Sequence, residues 1–300
     1  MLEFKKPEIE DKQWADQCLK NAKSMNCEYT FGNIFIWSTA YSEQICRYKD
    51  FFICRWGRGE DISYSAPIGT GDFKDAMEQI IADAKMQGVT PEIYGVTEHY
   101  KELINKYFPG MFSFEYDEGY NDYIYSVEKM ASLSGKKYHG KRNHITNFKK
   151  NNPNWSFEKI DSSNINDCIE LHTKWISDKE QDNADEDSDY SYEFEAVLTA
   201  FENFDALGLT GGLIRIDGKA IAYTVGEKKS DDVFVTHFEK APADIQGAYP
   251  VINQEFTKNC LMKYKYVNRE EDLGIPGLRK AKQSYYPEIF LEKCVAVYNG

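Results

Sequence analysis

Two titratable side chains stand two residues apart at the end of a strand-like run, Val233-Phe234-Val235-Thr236-His237-Phe238-Glu239. The imidazole of His237 titrates near neutral pH, and the carboxylate of Glu239 can take a proton or hold a cation. Side chains at i and i+2 of an extended strand share a face, so the two form a candidate proton-accepting pair. Each also has a plain structural role open to it: a hydrogen-bonded core histidine for His237, a strand-end surface acid for Glu239. Just beyond, Ala241-Pro242-Ala243-Asp244 interrupts the ladder, because Pro has no N–H to donate. Gln246-Gly247-Ala248 then opens a helix with Tyr249, Ile252 and Phe256 at spacings of three and four. A glycine turn lets backbone approach a ligand, and a helix N-terminus aims free N–H groups and a positive dipole end at it. Gln246, Gly247 and Ala248 are therefore a candidate cradle for an anionic donor, with a simple tight turn as the alternative. The three-glycine dinucleotide fingerprint and the GxxxxGK[ST] phosphate loop are both absent.

A second patch lies upstream. From Ser132 to Asn152, Lys136, Lys137, Lys141, Arg142, Lys149 and Lys150 crowd together without one acid, in a chain of net charge −13. Two readings stand: a solvated helix face or linker, or a phosphate-binding surface in which Lys136, Lys137, Lys141 and Arg142 hold a nucleic-acid backbone. Helical spacing begins near Lys141, with Ile145 and Phe148 apolar, and a helix there presents Lys141, Arg142 and Lys149 together. Opposite in sign is Glu180 to Asp189, with acids at 180, 182, 185, 186, 187 and 189. It lacks the loop Gly and terminal Glu of an EF-hand, so it reads as a mobile loop whose charge would attract a cationic amine.

Composition bounds the class. The chain has 300 residues, 21 Tyr and 18 Phe, enough for two aromatic-rich cores. Its net charge argues against general coating of nucleic acid but not against one local basic groove. Seven Cys occur without a CxxC, as expected of reduced thiols acting as small core hydrophobes. No Cys/His pair has zinc spacing, and no metal is expected. The first residues carry no apolar run of a signal peptide, and no stretch of about 18 apolar residues appears. The expected location is cytoplasmic, with no transmembrane insertion.

Both halves repeat one order of elements: helices, an antiparallel run, then alternating helix and strand. In the first half, Phe73 to Gln87 is a helix stopped by Gly88, and Gln44–Tyr48, Phe51–Trp56 and Ile62–Ile68 read as strands. In the second, Asp217-Gly218 marks a hairpin between Leu213–Ile216 and Ala220–Gly226. Tyr266–Asn268 is a short strand, Leu278 to Tyr285 a short helix, and Ile289 to Tyr298 a closing strand. The expected fold class is mixed-sheet α/β in two domains, residues 1–130 and 153–300, joined by the basic segment 131–152.

Strand, QGA turn, helix, strand, short helix and final strand resemble the second half of a GNAT acyltransferase fold. The run NREEDLGIPGLRKAKQSYYPE, with GKKYHGKRNHITNFKK upstream, resembles the DUF2156 family. That family is related to the C-terminal domain of phosphatidylglycerol lysyltransferases and, more distantly, to Fem-type aminoacyltransferases. The resemblance implies two tandem GNAT-like domains and transfer of an acyl or aminoacyl group, from acyl-CoA or charged tRNA, to an amine or hydroxyl on a small-molecule or peptide acceptor. It implies that a backbone N–H of the central strand polarises the carbonyl. In the same way it implies that Tyr285, or its neighbour Tyr286, serves as the acid beside His237 and Glu239. Glu271 and Asp272 would bind an amine or cap the following helix, and Arg279, Lys280 and Lys282 would meet donor phosphate or decorate that helix. The alternative is an inactive GNAT-like scaffold that binds a metabolite or a protein.

Overall fold

A computed structural model of the chain describes residues 2–182, 190–242 and 244–300, with no side-chain description for 179–182. The acidic run 180–189 thus lies outside the residues whose side chains are described. The chain forms two compact units. The first comprises Met1–Tyr123, Glu270–Lys282 and Ile289–Gly300, and the second Ile124–Arg269 and Gln283–Glu288. They are not sequential halves. The basic segment 131–152 belongs to the second unit, while most of the last thirty residues return to the first.

Among the described residues, the first sheet runs Gln44–Tyr48, Phe51–Trp56, Ser63–Ser65, Glu92–Val96, Cys294–Tyr298, Phe112–Tyr116, with Ile68–Gly69 also paired to the second of these. Only the Ser63–Ser65 and Glu92–Val96 pair is parallel. The second sheet runs Ile289–Leu291, Asp122–Ser126, Tyr266–Asn268, Val233–Lys240, Lys219–Lys228, Thr210–Ile216, Trp155–Lys159. Val233–Lys240 and Tyr266–Asn268 are parallel neighbours in it. The closing strand expected over Ile289–Tyr298 is thus two strands in two different sheets. The polar pair Glu292-Lys293 separates them, and Lys293 is buried at that corner.

Local rules account for several elements. Phe73–Gln87 is capped by the Asp72 side chain, which accepts from the Asp75 N–H, and ends at Gly88 with φ +77°. Asp217 and Gly218, at φ +49° and +78°, give the left-handed turn that matches strand twist. The helix His139–Asn151 buries Ile145 and Phe148. Gly247, at φ +90°, lets the helix Ala248–Phe256 lie close to it. A Cβ on Gly247 would stand 2.7 Å from the His144 carbonyl oxygen and 3.1 Å from the Phe148 Cβ. From Val251 to Phe256 every residue of that helix is buried, including Asn253, Gln254 and Glu255. All seven cysteines are free thiols, and six are buried. No helix among the described residues is long and apolar enough to cross a membrane.

Candidate active site in the second unit

The parallel strands Val233–Lys240 and Tyr266–Asn268 pair only from Val233 to Val235 against Tyr266 to Asn268. Beyond that register, Glu239 on one strand meets Arg269 at the end of the other. Arg269 Nη2 donates to Glu239 Oε1 at 2.7 Å, and Asn253 Nδ2 donates to Glu239 Oε2 at 3.1 Å. The Arg269 guanidinium stands 5.1 Å from the centre of the Tyr285 ring and 5.7 Å from that of Tyr125. Burial works against the guanidinium charge, but Glu239 and the two tyrosines beside it hold its pKa above the ordinary value. Asn253 is buried, and its Oδ1 has no hydrogen-bond partner among the described residues.

Lys141 enters this cluster from the helix His139–Asn151. Positions 141, 145 and 148 fall at i, i+4 and i+7, so Lys141 shares the stripe that buries Ile145 and Phe148. Its Nζ lies 3.9 Å from the centre of the Tyr285 ring, within cation–π reach. No carboxylate is within ion-pair distance of it among the described residues. Burial lowers its pKa, the Arg269 charge lowers it further, and Glu239 only partly opposes them, leaving it at about 8. The cluster therefore contains a guanidinium–carboxylate pair, one amide oxygen without a partner among the described residues, and one amine whose pKa is lowered to about 8.

Other expected site residues lie elsewhere or are committed. His237 is not part of this cluster. Val225 pairs with Phe238 and Gly226 with Thr236, so His237 is the extra residue of a β-bulge. Its side chain is fully buried, with Nε2 3.0 Å from the buried Glu227 carboxylate. The bulge breaks the alternation that the i, i+2 argument relied on. Arg142 is spent on the backbone, its Nη1 donating to the carbonyls of Leu133 and Gly135. Lys149 pairs with Glu255 at 2.7 Å. Lys136 is exposed, and Lys137 stands 4.6 Å from the Tyr286 ring centre. At the proposed cradle, Ala248 N donates to the Ile245 carbonyl, and position 250 is Pro, which has no N–H. The backbone of His144 fills the space beside Gly247. Gln246, Gly247 and Ala248 thus form a turn packed closely on His144, with the Ala248 N–H already donating.

Sequence pattern alone does not single out Arg269 or Asn253. Asn253 carried a readable signal, since it stands next to Ile252 and four residues after Tyr249 on the apolar side of its helix. Arg269 carried none that separates it from a surface cation after a strand.

The first unit holds a contrasting cluster. Ligand atoms of Cys27, Asp122 and Glu271 lie within 4.8 Å of one another, a grouping able to hold a cation. The chain fills that role itself. Lys293 Nζ stands 2.9 Å from Asp122 and 3.0 Å from Glu28, and also donates to Glu271. Burial pushes the Glu271 carboxyl up, but the Lys293 ammonium outweighs it and brings it down to about 2. An ammonium so placed opposes a metal ion, and the residues do not fit one. Glu271 does bind an amine, the chain's own. Asp272 accepts from Arg279 Nε at 2.7 Å and from the Gly274 N–H at 2.8 Å, as a cap would. Arg279 is accordingly committed, and Lys282 is buried 5.9 Å from the Tyr123 ring centre.

Comparison with known proteins places the fold and the family. The fold is that of solved tandem GNAT proteins. A conserved protein of unknown function from Bacteroides thetaiotaomicron is 36% identical over all of both chains, with a TM-score of 0.94. The C-terminal DUF2156 domain of a protein assigned as a lysylphosphatidylglycerol synthetase from Agrobacterium fabrum is 16% identical, with a TM-score of 0.70 over 97% of this chain and 92% of that one. An uncharacterized protein of Mycoplasmoides gallisepticum is 24% identical over 182 residues, 59% of this chain, and the match spans 56% of that curated relative's length. The family model for the phosphatidylglycerol lysyltransferase C-terminal domain matches residues 20–297, and with nearly the whole length so matched, the chain belongs to that family.

Proposed function

We propose that the second unit is an aminoacyltransferase site and that its donor is an aminoacyl ester on tRNA. The observation that carries this reading is Lys141, an amine poised near pH 8 against Tyr285 and beside the Arg269–Glu239 pair. Transfer from an ester needs a base for the acceptor, charge to stabilise the carbonyl oxygen, and a proton for the departing oxygen. Neutral Lys141 takes the proton from the acceptor hydroxyl or amine as that group attacks the ester carbonyl carbon. Arg269, oriented by Glu239, supplies positive charge to the oxygen that becomes negative. The bond to the tRNA ribose oxygen then breaks, and the ammonium of Lys141 returns the proton to that oxygen. Asn253 Oδ1 accepts a hydrogen bond from the donor's α-ammonium. Tyr285 is a positioning residue, its ring holding both cations.

An ester donor suits the cluster better than acyl-CoA. His144 packs against the Gly247 turn on the side a Cβ would occupy, and Glu239 on one strand is bonded to Arg269 at the end of the other. Lys136 and Lys137 remain available for tRNA phosphates. The acceptor is a hydroxyl or an amine, and the family's description makes the headgroup hydroxyl of phosphatidylglycerol the first to test.

The experiment is single-turnover transfer from lysyl-tRNA to phosphatidylglycerol, read as lipid-linked lysine. Lys141→Ala should lower the rate by roughly 10²–10⁴-fold, the usual contribution of a positioned acid or base. An unchanged rate in a folded Lys141→Ala protein would remove Lys141 from the chemistry. Thermal shifts with acyl-CoA but none with charged tRNA would replace the donor, since a bound ligand raises apparent stability.

A further inference from the structure

Leu273-Gly274-Ile275-Pro276-Gly277-Leu278 is a run of six consecutive exposed residues without one charge, in the first unit. Leu273 is 61% exposed, Ile275 52% and Leu278 37%. Exposed apolar runs of this length are disfavoured on a soluble surface unless something covers them. The run is also held firmly. Asp272, fully buried beneath it, accepts from Tyr123 Oη at 2.6 Å, from Arg279 Nε at 2.7 Å and Nη2 at 3.0 Å, and from the Gly274 N–H at 2.8 Å. The Leu273 N–H donates to the Gly119 carbonyl, and the Ile275 N–H to that of Asp272. Leu273 sits at φ +52°, a left-handed conformation that costs a branched side chain energy. The fold thus tolerates local strain while turning Leu273 and Ile275 to solvent.

We propose that this loop seats the protein on a lipid bilayer, with Leu273, Ile275 and Leu278 entering the interfacial region. A stable protein partner would need about 800 Å² from each side, far more than three side chains supply. A bilayer accepts a small rigid wedge, and its affinity grows with the apolar area inserted. Arg279 is neutralised by Asp272, so Lys280 is the exposed cation on the following helix, and attachment should depend little on salt. The inference rests on the loop alone, and vesicle binding is measured without turnover, so its failure and that of the transferase reading are separable.

The test is co-sedimentation of the full chain with phosphatidylcholine vesicles, which carry neither a net charge nor the proposed acceptor. Wild type should bind, with less than a twofold change between low and high salt. Leu273→Asp/Ile275→Asp, in which Asp tolerates the left-handed backbone at 273, should bind at least about tenfold more weakly. An Ile275→Trp variant provides a second reading, because brominated lipid should quench its added fluorescence. Absence of vesicle binding by wild type, equal binding by the double variant, or no quenching at position 275 would each overturn the proposal. Self-association abolished by the double variant, without vesicle binding, would overturn it in favour of a second copy of the chain.

Discussion

Two lysines, one buried and one half-buried, teach the difference between structure and site. Lys293 in the first unit is surrounded by Glu28, Asp122 and Glu271, which together raise its pKa well above the ordinary value against the cost of burial. Three carboxylates of the chain itself match that ammonium. Lys141 in the second unit is partly buried with no ion-paired carboxylate among the described residues, and the charge that acts on it most strongly is that of another cation, Arg269. A saturated cluster fixes the fold, and an unsaturated one is left with an interaction to make. Residue type does not distinguish them, since both combine lysine, carboxylate and tyrosine or thiol. What distinguishes them is how many of the charges are already satisfied.

Lys293→Met should break the saturated cluster most severely. It leaves three carboxylates around a buried space without their cation, and the loss should be about 3–5 kcal/mol, the range seen when one partner of a buried pair is removed. Urea denaturation measures it, and a loss under about 1 kcal/mol would show that the cluster is not a fixed structural unit. A smaller effect is expected one residue from the candidate base. Arg142→Ala removes charge-assisted bonds to the carbonyls of Leu133 and Gly135 and should cost about 1–2 kcal/mol, with transfer rate preserved. A rate collapse there would show that the division between Lys141 and Arg142 is wrong. The smallest stability effect is expected at Lys141. Lys141→Met should leave stability unchanged or slightly higher at pH 7, because it removes a charge that burial disfavours. The folded chain releases this proton near pH 8 and the unfolded chain near 10.5, so wild type should gain stability relative to Lys141→Met as pH rises through that window. A fixed difference across it would contradict the lowered pKa.

The sequence carried the local elements and the family well. Asp72 and Gly88 bound the helix Phe73–Gln87, and Asp217-Gly218 fixed a hairpin, because caps and tight turns are written in adjacent residues. Long-range choices were not readable. Ile289 to Tyr298 has the composition of one strand, and only the tertiary placement of Lys293 divides it. At the site, Glu239 and Tyr285 were visible as chemistry-bearing residues, and Lys141 as part of a basic run. That Lys141 turns inward was present in its spacing to Ile145 and Phe148, but the surrounding positive charge concealed it. The removal of His237 from the cluster required the bulge opposite Val225 and Gly226, which no periodicity announces. Pro250 already showed that the helix after Gly247 lacked one donor of an anion cradle.

The central claim is that the second unit keeps one amine uncommitted and titrating near neutrality. Trace acetylation of the folded protein across a pH series, with the extent at Lys141 quantified by peptide mass spectrometry, measures it directly. The account predicts a midpoint at about 8 for Lys141, lowered in Glu239→Gln, because Glu239 is the group that supports the ammonium. A midpoint near the ordinary lysine value of 10.5, unmoved by Glu239→Gln, would contradict it.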